Sequence, residues 1–143
     1  MRAGAQALGL AVVLVLLAGC AKPDTGDVTA DDMTLGAATA PITLVEYASV
    51  TCAHCAAFNR EILPELKAKY IVPGKVRYVY REYLTPPENV SAAGALLARC
   101  AGRAKYFQMV DAIMRAQPEM FADDSTSGAL PVLRRIGQSA GMS

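Results

Sequence analysis

The chain is poor in the residues that build metal centres. Its 143 residues include one histidine, His54, and four cysteines. A structural zinc site takes four ligands of these types. Charge of one sign is also missing: 14 Lys and Arg stand against 13 Asp and Glu, a formal net charge of +1. There is no basic run and no acidic tail, which argues against nucleic acid as a partner. No internal repeat stands out. The longest apolar run, near the amino terminus, is too short for a membrane span. That run and many alanines raise the apolar fraction to 53%, and the length suits one domain.

What is present begins with an export pattern. Arg2 gives a short positive start, and "LGLAVVLVLLAGC", Leu8 to Cys20, is an apolar core that ends in small residues. Its last four residues, Leu17 to Cys20, resemble the lipobox of bacterial lipoproteins. In that family the precursor is cut before the cysteine, which then carries lipid. The resemblance implies a signal peptide over residues 1–19, lipidation at Cys20, and attachment to a membrane through the acyl chains. An ordinary signal cut that leaves Cys20 free is the alternative. Either way the chain would work outside the cytoplasm, where thiol pairs can be oxidised. Ala21 to Pro41 is polar, rich in Ala, Thr, Asp and Gly, and without apolar period. It reads as a tether, so the expected organisation is a lipidated cysteine and flexible tether over 20–40 and a globular domain over 41–143.

Within that domain, "ITLVEYA", Ile42 to Ala48, is apolar on both faces and predicts a central strand covered on two sides. "AAFNREILPELKAKY", Ala56 to Tyr70, has helical period with Phe58, Ile62, Leu63 and Leu66, and Pro64 should bend it. After a turn at Val72 to Lys75, "VRYVYREY", Val76 to Tyr83, is β-branched and aromatic and predicts a second strand. Strand, helix, strand implies a parallel pair joined by a crossover. Beyond a loop at Thr85 to Val90, helices are expected over Ser91–Gly102, with Ala93, Leu96, Leu97 and Cys100 on one face, and over Lys105–Ala116. Gln117 to Gly128 reads mostly as loop, and Ala129 to Gly141 as a weaker helix.

Between the first strand and its helix lies "SVTCAHCAAF", Ser49 to Phe58. Open α/β sheets place their sites at such carboxyl ends of strands. If Cys52 caps the helix, its sulfur meets unpaired backbone N–H groups and the positive end of the helix dipole, which favour a thiolate. Cys55, one turn on, can close a disulfide with it and resolve a mixed disulfide formed at Cys52. His54, when protonated, would stabilise the Cys52 thiolate further and make the disulfide a stronger oxidant; a solvated histidine without a role is the plain alternative. Cys-x-x-Cys also marks zinc sites, and the remaining ligands here are His54, Cys100 and Cys20. A structural disulfide is a third option, although so short a loop restrains the unfolded chain little.

"LVEYASVTCAHCAAFN", "KVRYVYREY", "LLARCAG" and "KYFQMVDAI" together resemble the DsbA-type thiol–disulfide oxidoreductases. The resemblance runs from about Pro41 to the end. It implies an α/β, thioredoxin-like fold with a helical insertion over about 85–143, and a redox disulfide between Cys52, the nucleophile, and Cys55, the resolving thiol. It also implies exported proteins with thiols or disulfides as partners, a membrane quinone-linked reoxidant, a place on the periplasmic side of the bacterial cell envelope, and neither cofactor nor metal. Two departures stand out. The family's Pro-His between the cysteines is Ala53-His54 here, which frees the backbone and shifts the potential. The family's later strands, its cis-proline loop and its last helix find no match, so a partial domain with C-terminal strands and helix missing is expected. Two strands alone would leave open edges and marginal stability.

Glu46 is the one acid of the first strand, six positions before Cys52. Related proteins bury an acid here beneath the active site; with its pKa raised by burial, it could exchange a proton with Cys55. Cys100 reads as a buried small hydrophobe, and Tyr78, Tyr80 and Tyr83 as sheet packing. Met109, Met114 and Met120 read as packing or exposed surface rather than a copper site. The leading reading is an envelope thiol–disulfide oxidoreductase. The alternative is a non-catalytic, truncated thioredoxin-like lipoprotein that binds a partner or a metal.

Overall fold

The structure is a computed structural model, and it describes residues 27–123 and 125–142. The expected signal peptide, Cys20 and the start of the expected tether lie outside the described residues. The elements in order are β1 (Met33–Leu35), β2 (Ile42–Ala48), α1 (Ala53–Glu61), α2 (Leu63–Leu66), a π-helical turn (Lys67–Ile71), β3 (Val76–Glu82), α3 (Glu88–Cys100), α4 (Tyr106–Arg115), α5 (Gln117–Met120) and α6 (Ala129–Ser139).

The sheet has three strands in the order β1-β3-β2. β2 and β3 are parallel, with Ile42 opposite Val76 and Ala48 opposite Glu82, as strand–helix–strand requires. β3 takes the centre because its valines and tyrosines can be covered on both faces: Val76, Tyr78, Val79 and Tyr80 are all buried. β2 departs from the expected central strand. Only β3 pairs with it among the described residues, so it is an edge, and Ile42 and Tyr47 are 57% and 61% exposed.

The tether expectation also fails in part. Met33 to Leu35, inside the supposed flexible stretch, pairs antiparallel with Tyr78 to Tyr80. Asp32 is buried beside it and takes a two-point bond from Arg81, through Nε and Nη2, each at 2.8 Å. Arg103 donates to the Asp32 and Ala30 carbonyls. Contacts made across some 50 to 70 positions of chain, rather than any local period, hold this strand in place.

The sequence predicts a bend at Pro64; instead the helix breaks just before it. α1 stops at Glu61, and the chain restarts as α2 with the proline in its first turn, where its missing N–H costs nothing. α3 is turned relative to the expected face. Its buried residues are Val90, Ser91, Gly94 and Ala98, while Leu96 is 63% exposed and Cys100 is exposed as well. The cause is close approach: a Cβ on Gly94 would stand 2.6 Å from Cγ2 of Val50. Small residues therefore face inward, and Cys100 is not the buried hydrophobe that its spacing suggested. α4 buries Tyr106, Met109, Val110, Ile113 and Met114. Truncating Ile113, fully buried, to alanine would cost about 2–5 kcal/mol. Met120 is buried too, in α5, a short helix within the stretch expected as loop. Tyr83 lies past the end of β3 and is 63% exposed, unlike Tyr78 and Tyr80.

Candidate active site

Cys52 is the N-cap of α1, with φ −80° and ψ 119°, and its sulfur accepts the Cys55 N–H at 3.3 Å. The cysteine thus fills a place usually given to serine, threonine, aspartate or asparagine. No acid stands in the first turn to compete for the unpaired N–H groups. The helix begins at Ala53, three residues before the apolar period, because this cap starts it. Cys55 lies one turn on, half-buried against the core, and both thiols are free. His54, on the same turn, is exposed.

The loop ahead of Cys52 is fastened to the helical segment. Ser49 Oγ lies 2.7 Å from Ser91 Oγ on α3 and 2.9 Å from Thr51 Oγ1. Thr51 Oγ1 lies 3.0 Å from Thr85 Oγ1 and also donates to the Thr85 carbonyl. A cis bond at Pro86–Pro87 follows. From α5, the buried Gln117 donates through Nε2 to the Val50 carbonyl at 2.7 Å and to the Cys52 carbonyl at 3.2 Å. Sequence reasoning missed Thr85, Ser91 and Gln117. Thr85 sits in a loop, Ser91 in a small-residue stretch and Gln117 in a one-turn helix, none with a local mark of what it reaches.

Beneath the helix, one face of the sheet presents Leu44, Glu46 and Ala48 beside Tyr78, Tyr80 and Glu82, by register and alternation. Burial pushes the Glu46 carboxyl above its usual range, opposed by the Tyr78 hydroxyl that donates to its Oε2. The Cys55 thiol is pushed up to about 11, first by burial, then by its hydrogen bond with Cys52 and the negative charges of Cys52 and Glu46. Cys52, Cys55 and Glu46 are therefore brought together. A thiol held this firmly protonated needs a base to lose its proton near neutrality.

No group of three or more His, Cys, Asp or Glu side chains among the described residues is placed to hold a metal ion. A groove of about 540 Å³ runs beside the motif, between Ala53, Ala56 and Arg60 on α1 and Met114, Arg115 and Phe121 opposite. No helix among the described residues is long and apolar enough to cross a membrane.

Comparison with known proteins supplies the lineage. The family model described as Thioredoxin matches residues 28–140. A Rickettsia conorii protein named "Putative protein-disulfide oxidoreductase" is 39% identical over 113 residues, 79% of this chain. The chain spans only 39% of that protein's length. The crystal structure of Wolbachia pipientis alpha-DsbA1 superposes with a TM-score of 0.72 at 31% identity, over 81% of this chain and 57% of that one. A protein-disulfide isomerase from Novosphingobium aromaticivorans shares the fold, with a TM-score of 0.62 at 24% identity, over 76% of this chain and 61% of that one. With its thioredoxin-like sheet, its Cys-capped helix and its helical segment, the chain belongs to the thioredoxin family as a DsbA-type member.

Proposed function

We propose that the chain is an envelope thiol–disulfide oxidoreductase that forms or exchanges disulfides in exported proteins. The observation that carries this reading is the capping geometry: Cys52 Sγ sits at the start of α1, bonded to the Cys55 N–H, with Glu46 below Cys55. In the oxidising direction a substrate thiolate attacks Cys52 Sγ of the Cys52–Cys55 disulfide. Cys55 leaves with the electron pair and takes up a proton, with Glu46 as its proton partner. A second substrate thiolate attacks the substrate sulfur, and Cys52 departs as thiolate. The substrate loses two electrons and gains a disulfide; the cysteine pair is left reduced. His54, when protonated, would set a positive charge beside Cys52.

Reoxidation then needs an acceptor, and a membrane quinone-linked partner fits the DsbA-type resemblance. Lipidated Cys20 would hold the chain to the membrane beside it, on the periplasmic side. Labelling cells with radioactive palmitate checks the anchor: label is expected on the wild type and absent from Cys20→Ala, and an unlabelled wild type would refute it.

For the chemistry, the oxidised full chain is mixed with a reduced dithiol peptide. The peptide should be oxidised in step with loss of the Cys52–Cys55 disulfide, and Cys52→Ser should abolish this. A peptide left reduced beside a persistently oxidised chain would point instead to a binding module without catalysis.

A further inference from the structure

Tyr80 is odd in a way that packing does not explain. Its ring is 2% exposed and set edge-on against Tyr106 and Phe107, at 5.9 and 6.5 Å between centroids. Its hydroxyl is buried and has no hydrogen-bond partner among the described residues. The neighbouring tyrosines both use theirs: Tyr78 donates to Glu46, and Tyr106 to Glu82 at 2.7 Å. Phenylalanine would fill the same space without stranding a polar atom, which is unfavourable when buried. Such exceptions call for a reason.

The position of this hydroxyl suggests one. Tyr80 stands opposite Glu46 in the parallel register. The charges that bear on it most, in order, are those of Glu46, Cys55, Glu82 and Cys52. Burial and these negative neighbours keep the phenol protonated well above neutral pH, so its O–H stays available as a donor. In the resting dithiol nothing nearby calls on that donor. Glu46 already receives Tyr78, Glu82 is bound by Arg99 and Tyr106, and Cys55 holds its proton. His54, the other titratable group of the α1 turn, is exposed.

Negative charge reaches Cys55 at one moment, when the Cys52–Cys55 bond forms or breaks. We propose that the Tyr80 hydroxyl is the preset hydrogen-bond donor for that charge, serving the Cys55 sulfur across one water. In resolution, Cys55 gives its proton to Glu46, and its sulfur attacks Cys52 Sγ of the mixed disulfide. The Cys52–Cys55 bond forms, and the substrate leaves as thiolate with the electron pair. Tyr80 keeps its own proton throughout. The reverse direction passes through the same charged sulfur, so the role does not depend on which way electrons flow. The inference rests on Cys55 being the resolving thiol.

The test follows resolution of a glutathione–Cys52 mixed disulfide in the full chain by rapid mixing across pH. Tyr80→Phe should slow resolution about tenfold to a hundredfold near neutrality. The gap should narrow at high pH, where Cys55 is ionised before it attacks. The equilibrium constant with glutathione at neutral pH should not move, because both end states there have Cys55 uncharged. Tyr106→Phe, which loses a bond to Glu82, should lower the melting temperature and leave resolution unchanged. Replacing Tyr80 with 3-fluorotyrosine, a stronger acid of nearly the same shape, should speed resolution and serves if the phenylalanine variant fails to fold. A Tyr80→Phe protein as fast as the wild type, or a fluorotyrosine protein no faster than it, would overturn the proposal. A wild type that forms no resolvable mixed disulfide would overturn the functional reading with it.

Discussion

Glu46 and Glu82 lie on the same face of the sheet and each accepts a tyrosine hydroxyl, yet they are driven opposite ways. Burial pushes Glu82 up, but the Arg99 fork, with both nitrogens at 2.6 Å, and the Tyr106 hydroxyl more than offset it and hold the carboxyl below its usual range. Glu46 has the Tyr78 hydroxyl to oppose burial, and it is held above its usual range. The first is a fixed charge that ties the end of β3 to α3 and α4. The second sits below Cys55, and its carboxyl is held more readily protonated than an ordinary glutamate. Divergence of two similar acids by environment is what separates a structural group from one suited to proton transfer.

Removing the attacking thiol has the largest expected effect: Cys52→Ser should abolish exchange, read by peptide oxidation. Next, Glu46→Gln should slow resolution roughly a hundredfold near neutrality, within the usual range for loss of a general base. In the wild type that rate should rise with pH through the raised Glu46 value, and in the variant this limb should be absent from the stopped-flow profile. Stability should respond in the opposite sense. The folded state keeps a proton on Glu46 that the unfolded chain has already lost, so stability declines as pH rises through the raised value. Glu46→Gln removes that decline, and thermal melts above it should show the variant at least as stable as the wild type.

Glu82→Ala sharpens the contrast from the other side. It strands the Tyr106 hydroxyl and the Arg99 fork, costs about 1–3 kcal/mol by denaturant titration, and should leave resolution untouched. Because the folded Glu82 value lies below the unfolded one, its stabilisation is present above the ordinary glutamate range and is lost as pH falls through the lowered value. The variant should lack that part of the acid loss. The smallest effect is expected from Gln117→Leu, which leaves the Val50 carbonyl without its partner. A loss of about 1 kcal/mol is expected by the same titration, with only a few-fold change in exchange.

The placement of the cysteine pair at the start of the helix was legible in the sequence because its signals are local. Cys52 and Cys55 are three positions apart, the strand before them and the helix after them have clear periods, and Glu46 is the lone acid of its strand. The parallel pairing of β2 and β3 followed from element order. What could not be read depends on distance along the chain. β1 is three residues long and exists through its pairing with β3 and the Asp32–Arg81 bond. Gln117 clamps carbonyls 65 and 67 positions away. On α3 the apolar period misled, since close approach selected Gly94 and Ala98 for the inner face and left Leu96 and Cys100 outside. Tyr78 and Tyr80 looked alike as packing residues; only the fold distinguishes the hydroxyl on Glu46 from the one without a partner among the described residues.

The central claim is that Cys52 attacks and Cys55 resolves. Treating Cys55→Ser with oxidised glutathione and mapping the adduct by peptide mass spectrometry tests it most directly. One glutathione should accumulate on Cys52 and stay there, while the wild type under the same conditions passes on to a Cys52–Cys55 disulfide. An adduct confined to the exposed Cys100, or a wild type that stops at the mixed disulfide, would contradict the account.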